Sequence, residues 1–143
     1  MNLKQIEFPV PARGYIPQKP PIVMIDNILS EDSEAFTTNF KISCDNVFVE
    51  DGRFREVGLM ENIAQTCAAH VGFCSANNTV PLGVIGGISN FSLKRLPLVG
   101  ETIVTTIRII ADVAKAKVVE AETRSGNDLI ATCSMKVFVT DED

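Results

Sequence analysis

The stretch at 58–73, GLMENIAQTCAAHVGF, holds a carboxylate at Glu61 and the chain's only imidazole at His70, inside a run that is otherwise apolar or weakly polar. On a helix, Glu61, Gln65, Ala68 and Gly72 fall at spacings of four, three and four. They therefore share one stripe, with small residues toward its C-terminal end. Such a stripe can floor a slender groove with an acid at one end. The pattern predicts a helix over 59–76, with Glu61 in its first turn, where unpaired N–H groups and the macrodipole favour negative charge by about 0.3–1 kcal/mol. An architectural role stands beside the chemical one, because acidic first-turn residues commonly satisfy a helix start and Gln65 would be a hydrogen-bonded neighbour. His70 is nine residues further on, half a turn out of phase and about 13 Å along the axis. Within one chain it cannot share a proton with Glu61, so it is expected to pack in the interior or to face a partner chain.

Other chemistries lack their residues. The chain has no Gly-x-Ser-x-Gly elbow, no Walker loop and no His/Cys cluster for a metal. GVIGG at 83–87 sits inside a strand pattern, without the following helix that a dinucleotide site needs. No cofactor and no metal are expected. A net charge of −5, with both signs dispersed, argues against nucleic acid as a partner. The N-terminus shows no secretory signal, which makes the cytoplasm the expected compartment. The four cysteines read as free thiols, since Cys67 and Cys74 lie two helical turns apart, too far to bridge.

The elements that must hold these residues follow from periodicity. At 143 residues, 45% of them hydrophobic, the chain is expected to form a single domain over 1–143. Five prolines in 9–21 predict an extended lead-in over 1–21 with no strand. Two antiparallel strands are expected over 22–29 and 35–43, joined by the polar SEDSE, followed by a loop over 44–57. After the helix, Asn77, Asn78 and Pro81 should end it. Polar residues interrupt the helix too often for a membrane span. Strands follow in GVIGGISNFSLKRL, ETIVTTIRIIADV, AKVVEAETRSG and DLIATCSMKVFVT; Gly86 and Gly87 suit a bulge or a close backbone approach. One long helix among five or six antiparallel strands is an α+β fold, most economically a curved sheet wrapped around the helix. Its free edge makes a homodimer the expected state.

IPQKPPIVMIDNIL, GLMENIAQTCAAHVG and GGISNFSLKRLPLVGE, in that order, resemble the hotdog-fold 3-hydroxyacyl-acyl carrier protein dehydratases. The most specific match is Glu61 through Gln65, against the family's Glu-x-Met-Ala-Gln. The resemblance implies a dimer with an acyl tunnel between subunits, fed by a thioester on acyl carrier protein or coenzyme A, in fatty acid biosynthesis. It makes Glu61 the catalytic carboxylate and implies that N–H groups at Gly58 and Leu59 polarise the thioester, with Gln65, Gly86 and Gly87 also at the substrate. Lys94 and Arg95 align with basic residues that would dock the carrier; a solvated strand end explains them as well. In the family, a loop histidine of one subunit works with the helix carboxylate of the other. NVFVEDGRFREVG has no histidine, and Gln18 replaces the family's N-terminal one. Three outcomes stay open. Glu50, Asp51, Glu56 or a cross-dimer His70 supplies the base; Glu61 serves a thioesterase; or the chain is a catalytically silent acyl-binding protein or the partner subunit of an active hotdog dehydratase, as a heterodimer.

Overall fold

The computed structural model describes residues 6–32, 34–74 and 82–140, of which 82–85 and 139–140 by backbone alone. After β1 (Val10–Pro11) and a 3-10 turn at Arg13–Tyr15 come β2 (Asn27–Glu31), β3 (Ala35–Lys41), the short β4 (Val49–Glu50) and β5 (Arg53–Phe54), then α1 (Glu56–Phe73). β6 (Leu82–Leu93), β7 (Thr102–Val113), β8 (Ala116–Ser125) and β9 (Asp128–Thr140) complete the chain. The main sheet is antiparallel, in the order β1-β2-β3-β7-β8-β9-β6, with α1 packed on one face. This is the hotdog architecture that the sequence implies.

The sheet has seven strands rather than five or six, and the surplus sits in the lead-in. Val10 and Pro11 pair with Ile28 and Asn27 at the sheet's end, the place where a proline's missing donor costs no ladder bond. The loop expected over 44–57 holds a hairpin, β4–β5, closed by Asp51 and Gly52, both at positive φ. Asp-Gly is the pair that a two-residue hairpin turn selects, since both central residues must take left-handed backbone. The hairpin also moves the helix start from 59 to Glu56. The asparagine cap expected near 77 lies outside the described residues.

Register shifts at Ile28/Ser30, Ile85/Gly87, Ser89/Ser92, Ile109/Ala111 and Thr123/Arg124 add twist, which lets a long sheet curl around one helix. The expected Gly-Gly bulge is among them. On β9, Ala131, Cys133, Met135 and Val137 are buried against the helix side, and Thr132 and Ser134 alternate with them on the outside. All four cysteines are free.

Beneath the helix, Thr38, Thr105 and Thr123 occupy one register row across β3, β7 and β8, each fully buried. Asn62 lies over that row. Its Oδ1 accepts from Thr105 (2.6 Å), its Nδ2 donates to the Met24 carbonyl (2.7 Å), and its own carbonyl accepts from Thr66, whose oxygen is 2.8 Å from that of Thr38. Thr123 lies 2.8 Å from the Thr105 oxygen and, because Thr105 gives its proton to Asn62, must donate to it. Every hydroxyl proton is used, so a polar seam can exist in an apolar core without orphaned groups.

At Gln65 and Gly72 the stripe is filled by the chain's own lead-in. The Tyr15 carbonyl presses on Gly72 where a Cβ would stand, and residues 22–24 bond to Gln65. Gly72 therefore makes room for backbone rather than for a ligand. Gly72→Val is expected to destabilise the protein by about 1–3 kcal/mol, the usual cost of overpacking. A lowered thermal midpoint and faster proteolysis within 6–24 would show it.

Candidate functional site

With the lead-in on one flank and the sheet beneath, α1 leaves an adjoining face, which shares Glu61 and Ala68 with that stripe, only partly covered. Val57, Met60, Glu61, Ala64, Ala68 and Val71 fall within about 100° of arc by helical geometry. Val57 is exposed, Met60, Glu61, Ala64 and Val71 are half-buried, and Ala68 is nearly covered. Five of the six are apolar. An uncovered helix face would ordinarily carry several charges; here Glu61 is the only one.

Because the helix begins at Glu56, Glu61 stands in the second turn, and Glu56 is the acid of the first. The first intrahelical bond runs from the Leu59 N–H to the Arg55 carbonyl, so Leu59 has no N–H to offer a ligand. The N–H groups of Glu56, Val57 and Gly58 precede that bond. Gly58 is buried, with the Phe54 ring 2.5 Å and Phe48 Cβ 2.9 Å from where a Cβ would stand, so close packing requires glycine there.

Glu61 accepts one hydrogen bond, from Gln65 Nε2 at 2.9 Å. Gln65, fully buried, has no spare group for a substrate: Nε2 also donates to the Ile22 carbonyl (2.7 Å), and Oε1 accepts from the Met24 N–H (2.6 Å). Met24 thus has its N–H held by Gln65 and its carbonyl by Asn62. Sequence reasoning passed over Asn62. The available signal was a pair of amide side chains in a helix otherwise fit for burial, since buried amides demand partners.

Of the four base candidates, none is hydrogen-bonded to Glu61, whose partner is Gln65. Asp51 is exposed at the hairpin tip, where its left-handed backbone closes the turn. Glu56 pairs with Arg55 at 3.3 Å and sits about 140° around the helix from Glu61. Glu50 is exposed on β4. His70 faces the opposite side, edge-on to Phe36 with ring centroids 5.0 Å apart, its Nε2 3.6 Å from Cys74 Sγ. Burial pulls its pKa below the ordinary 6.5, Lys117 adds to this, and Asp112 opposes it. The folded state thus favours neutral imidazole. That contribution is fully present above the unfolded pKa and is lost as pH falls below about 6.5. The melting temperature is expected to drop between pH 7 and 5, and His70→Gln to flatten that part of the profile.

Gly86 and Gly87 lie on β6, at one end of the sheet. The Phe138 ring occupies the space of a Gly86 Cβ, and nothing lies within 4 Å of one at Gly87. Phe138 follows the outward alternation of β9, so Gly86 answers to packing on the outer face. Arg95 grips Glu101 with two hydrogen bonds (2.9 and 2.8 Å) and reaches Asp128 at 3.1 Å. Those bonds hold the Glu101 carboxyl down at about 2 against the opposing effect of burial, with help from the Leu98 N–H and the Ser125 hydroxyl. Arg95 thereby ties its own segment to the turn before β7 and to the β8–β9 turn, and Lys94 remains exposed beside it.

Among the described residues no group of three or more His, Cys, Asp or Glu could hold a metal ion, and no helix is long and apolar enough to cross a membrane.

The fold is shared with solved structures. The dehydratase heterocomplex ApeI:P from Xenorhabdus doucetiae superposes with a TM-score of 0.83 at 15% identity, covering 93% of each chain. Cj0977, a sigma28-regulated virulence protein from Campylobacter jejuni, gives 0.71 at 14%, covering 92% of this chain and 89% of that one. The PaaI protein from the E. coli phenylacetic acid degradation operon gives 0.61 at 15%, covering 78% and 80%. No curated protein matches the chain in sequence. Residues 10–143 match the family model described as ApeP-like, ApeP dehydratase, and the chain is a hotdog-fold member of that family.

Proposed function

We propose that this chain handles 3-hydroxyacyl thioesters as the carboxylate-bearing subunit of a dehydratase whose second hotdog subunit supplies the base. The observation that carries the proposal is Glu61, the single charge on an otherwise apolar, uncovered helix face. An acyl chain suits that face, and a second subunit would enclose it. β6 ends the strand order, and its edge is where a second curved sheet would join.

In the reaction, a base takes the proton from C2 of the thioester, the electron pair forms the C2=C3 bond, and the C3–O bond breaks. The leaving hydroxyl takes a proton from the Glu61 carboxyl and departs as water. The N–H groups at the helix start, with the positive end of the helix dipole, favour the enolate oxygen that develops on the thioester. None of the described candidates in this chain stands beside Glu61 to act as the base, which favours a partner's histidine. The heterocomplex named for the Xenorhabdus structure supports that arrangement. Carrier protein is the proposed thioester bearer, with Lys94 as the exposed cation beside the Arg95 clamp.

The test supplies 3-hydroxyacyl and simple acyl thioesters, on carrier protein and on coenzyme A, to the protein alone and with a neighbouring hotdog subunit, and follows enoyl formation and thiol release. Enoyl product that needs the partner supports the proposal. Thiol release by the protein alone replaces it with a thioesterase, and absence of both products leaves an acyl-binding role.

A further inference from the structure

We propose that His70 and Cys74 form an open zinc site at the C-terminal end of α1, with the remaining positions on the metal taken by water. The site is independent of any role for Glu61, which lies nine residues back and about 13 Å away along the helix axis.

Four residues apart at the end of a helix, the two side chains project from one face, a turn apart. Their contact has the dimensions of metal coordination. Zinc holds a thiolate sulfur at about 2.3 Å and an imidazole nitrogen at about 2.0–2.1 Å, so a tetrahedral angle between them sets the two donors about 3.6 Å apart. His70 Nε2 stands 3.6 Å from Cys74 Sγ. Without a metal, a thiol and an imidazole at that distance share only a weak hydrogen bond. Both donors are held in place. The Cys74 N–H donates to the His70 carbonyl at 3.0 Å, which keeps the last turn helical, and the His70 ring rests edge-on against Phe36. Cys74 is exposed, so an ion can enter and water can complete its shell.

The surroundings favour a cation. The helix end presents unpaired carbonyls and the negative pole of the macrodipole. Glu31 acts on Cys74 and Asp112 on His70, while Lys117 opposes both and is itself bonded to Asp112 at 2.7 Å. Two carboxylates thus outweigh one ammonium. Partial burial, with Glu31 adding to it, pushes the Cys74 thiol up, so the free side chain keeps its proton. On binding, the S–Zn bond forms and that proton leaves to solvent, while the neutral His70 coordinates through Nε2 with none to lose. Two protein ligands are fewer than the three of a catalytic zinc centre or the four of a structural one. The ion is therefore exchangeable, and its effect is to fasten the last turn of α1 rather than to take part in catalysis.

The test titrates Co2+, a spectroscopic stand-in for zinc, into the reduced chain of residues 1–143. A thiolate-to-cobalt charge-transfer absorption should appear, saturate at one metal per chain and vanish when Zn2+ is added. The melting temperature should be higher with Zn2+ than with EDTA. Cys74→Ser should abolish the absorption, and His70→Gln should weaken the affinity by more than about 10-fold, since losing even a residue behind a ligand costs that much. Cys44→Ser, which removes the other exposed thiol, and Glu61→Gln should leave binding unchanged. Absence of the band in the wild type, its survival in Cys74→Ser or its loss in Cys44→Ser overturns the proposal. So does saturation at one metal per two chains, which would make the ion a bridge between copies. Should His70→Gln not fold, the spectra of the wild type and the two serine variants still decide.

Discussion

Replacing Glu61 with glutamine is expected to reduce enoyl formation by about 10²–10⁴-fold, the usual loss when a positioned acid or base is removed. The melting temperature should stay near that of the wild type. Glutamine keeps the size of the side chain and an oxygen able to accept from Gln65 Nε2, so the buried amide retains all three partners. What disappears is a proton that can be given up. Glu61→Ala makes the contrast, since it removes the acceptor and leaves one Gln65 hydrogen unpaired in a buried setting. That variant should lose activity and also about 1–3 kcal/mol of stability. Enoyl formation undiminished in Glu61→Gln would mean that the carboxylate serves the fold alone.

The fold was legible because three motifs, around Pro17, Glu61 and Lys94, occur in the order and spacing of a known family, and because β7, β8 and β9 alternate cleanly. The helix boundary was misplaced by three residues for a local reason. Asp51 and Gly52 form a hairpin turn whose flanking strands are only two residues long, too short for alternation to register. That displacement moved Glu61 from the first turn to the second and spent the Leu59 N–H inside the helix. The stripe from Gln65 to Gly72 was correctly placed on one face, yet periodicity cannot say what covers a face. Its occupant is the lead-in, some 40 to 60 residues away in sequence, brought there by the hydrogen bonds of Gln65 and Asn62. The threonine row was equally hidden. Thr38, Thr105 and Thr123 each look like ordinary strand residues until register aligns them beneath Asn62.

Mixing this chain with a hotdog subunit that bears a loop histidine but whose helix carboxylate is replaced by alanine is expected to restore dehydration that neither protein performs alone. This chain has a helix carboxylate and no imidazole near it, while the altered partner has the imidazole and no carboxylate. If each site draws its base from one subunit and its acid from the other, the heterodimer holds one complete site, and both homodimers hold none. The gain over either protein alone should again be about 10²–10⁴-fold, saturating at one partner per chain. Glu61→Gln in this chain should cancel it, and so should loss of the partner's histidine. His70→Gln should leave it intact, because His70 lies half a turn from Glu61 and packs on Phe36. An equally fast reaction by this chain alone would place the base within its own sequence, and His70→Gln and Glu56→Gln would then tell which group provides it. Complementation in this form tests the division of labour directly, since the only group the chain must contribute is the one charge on its uncovered helix face.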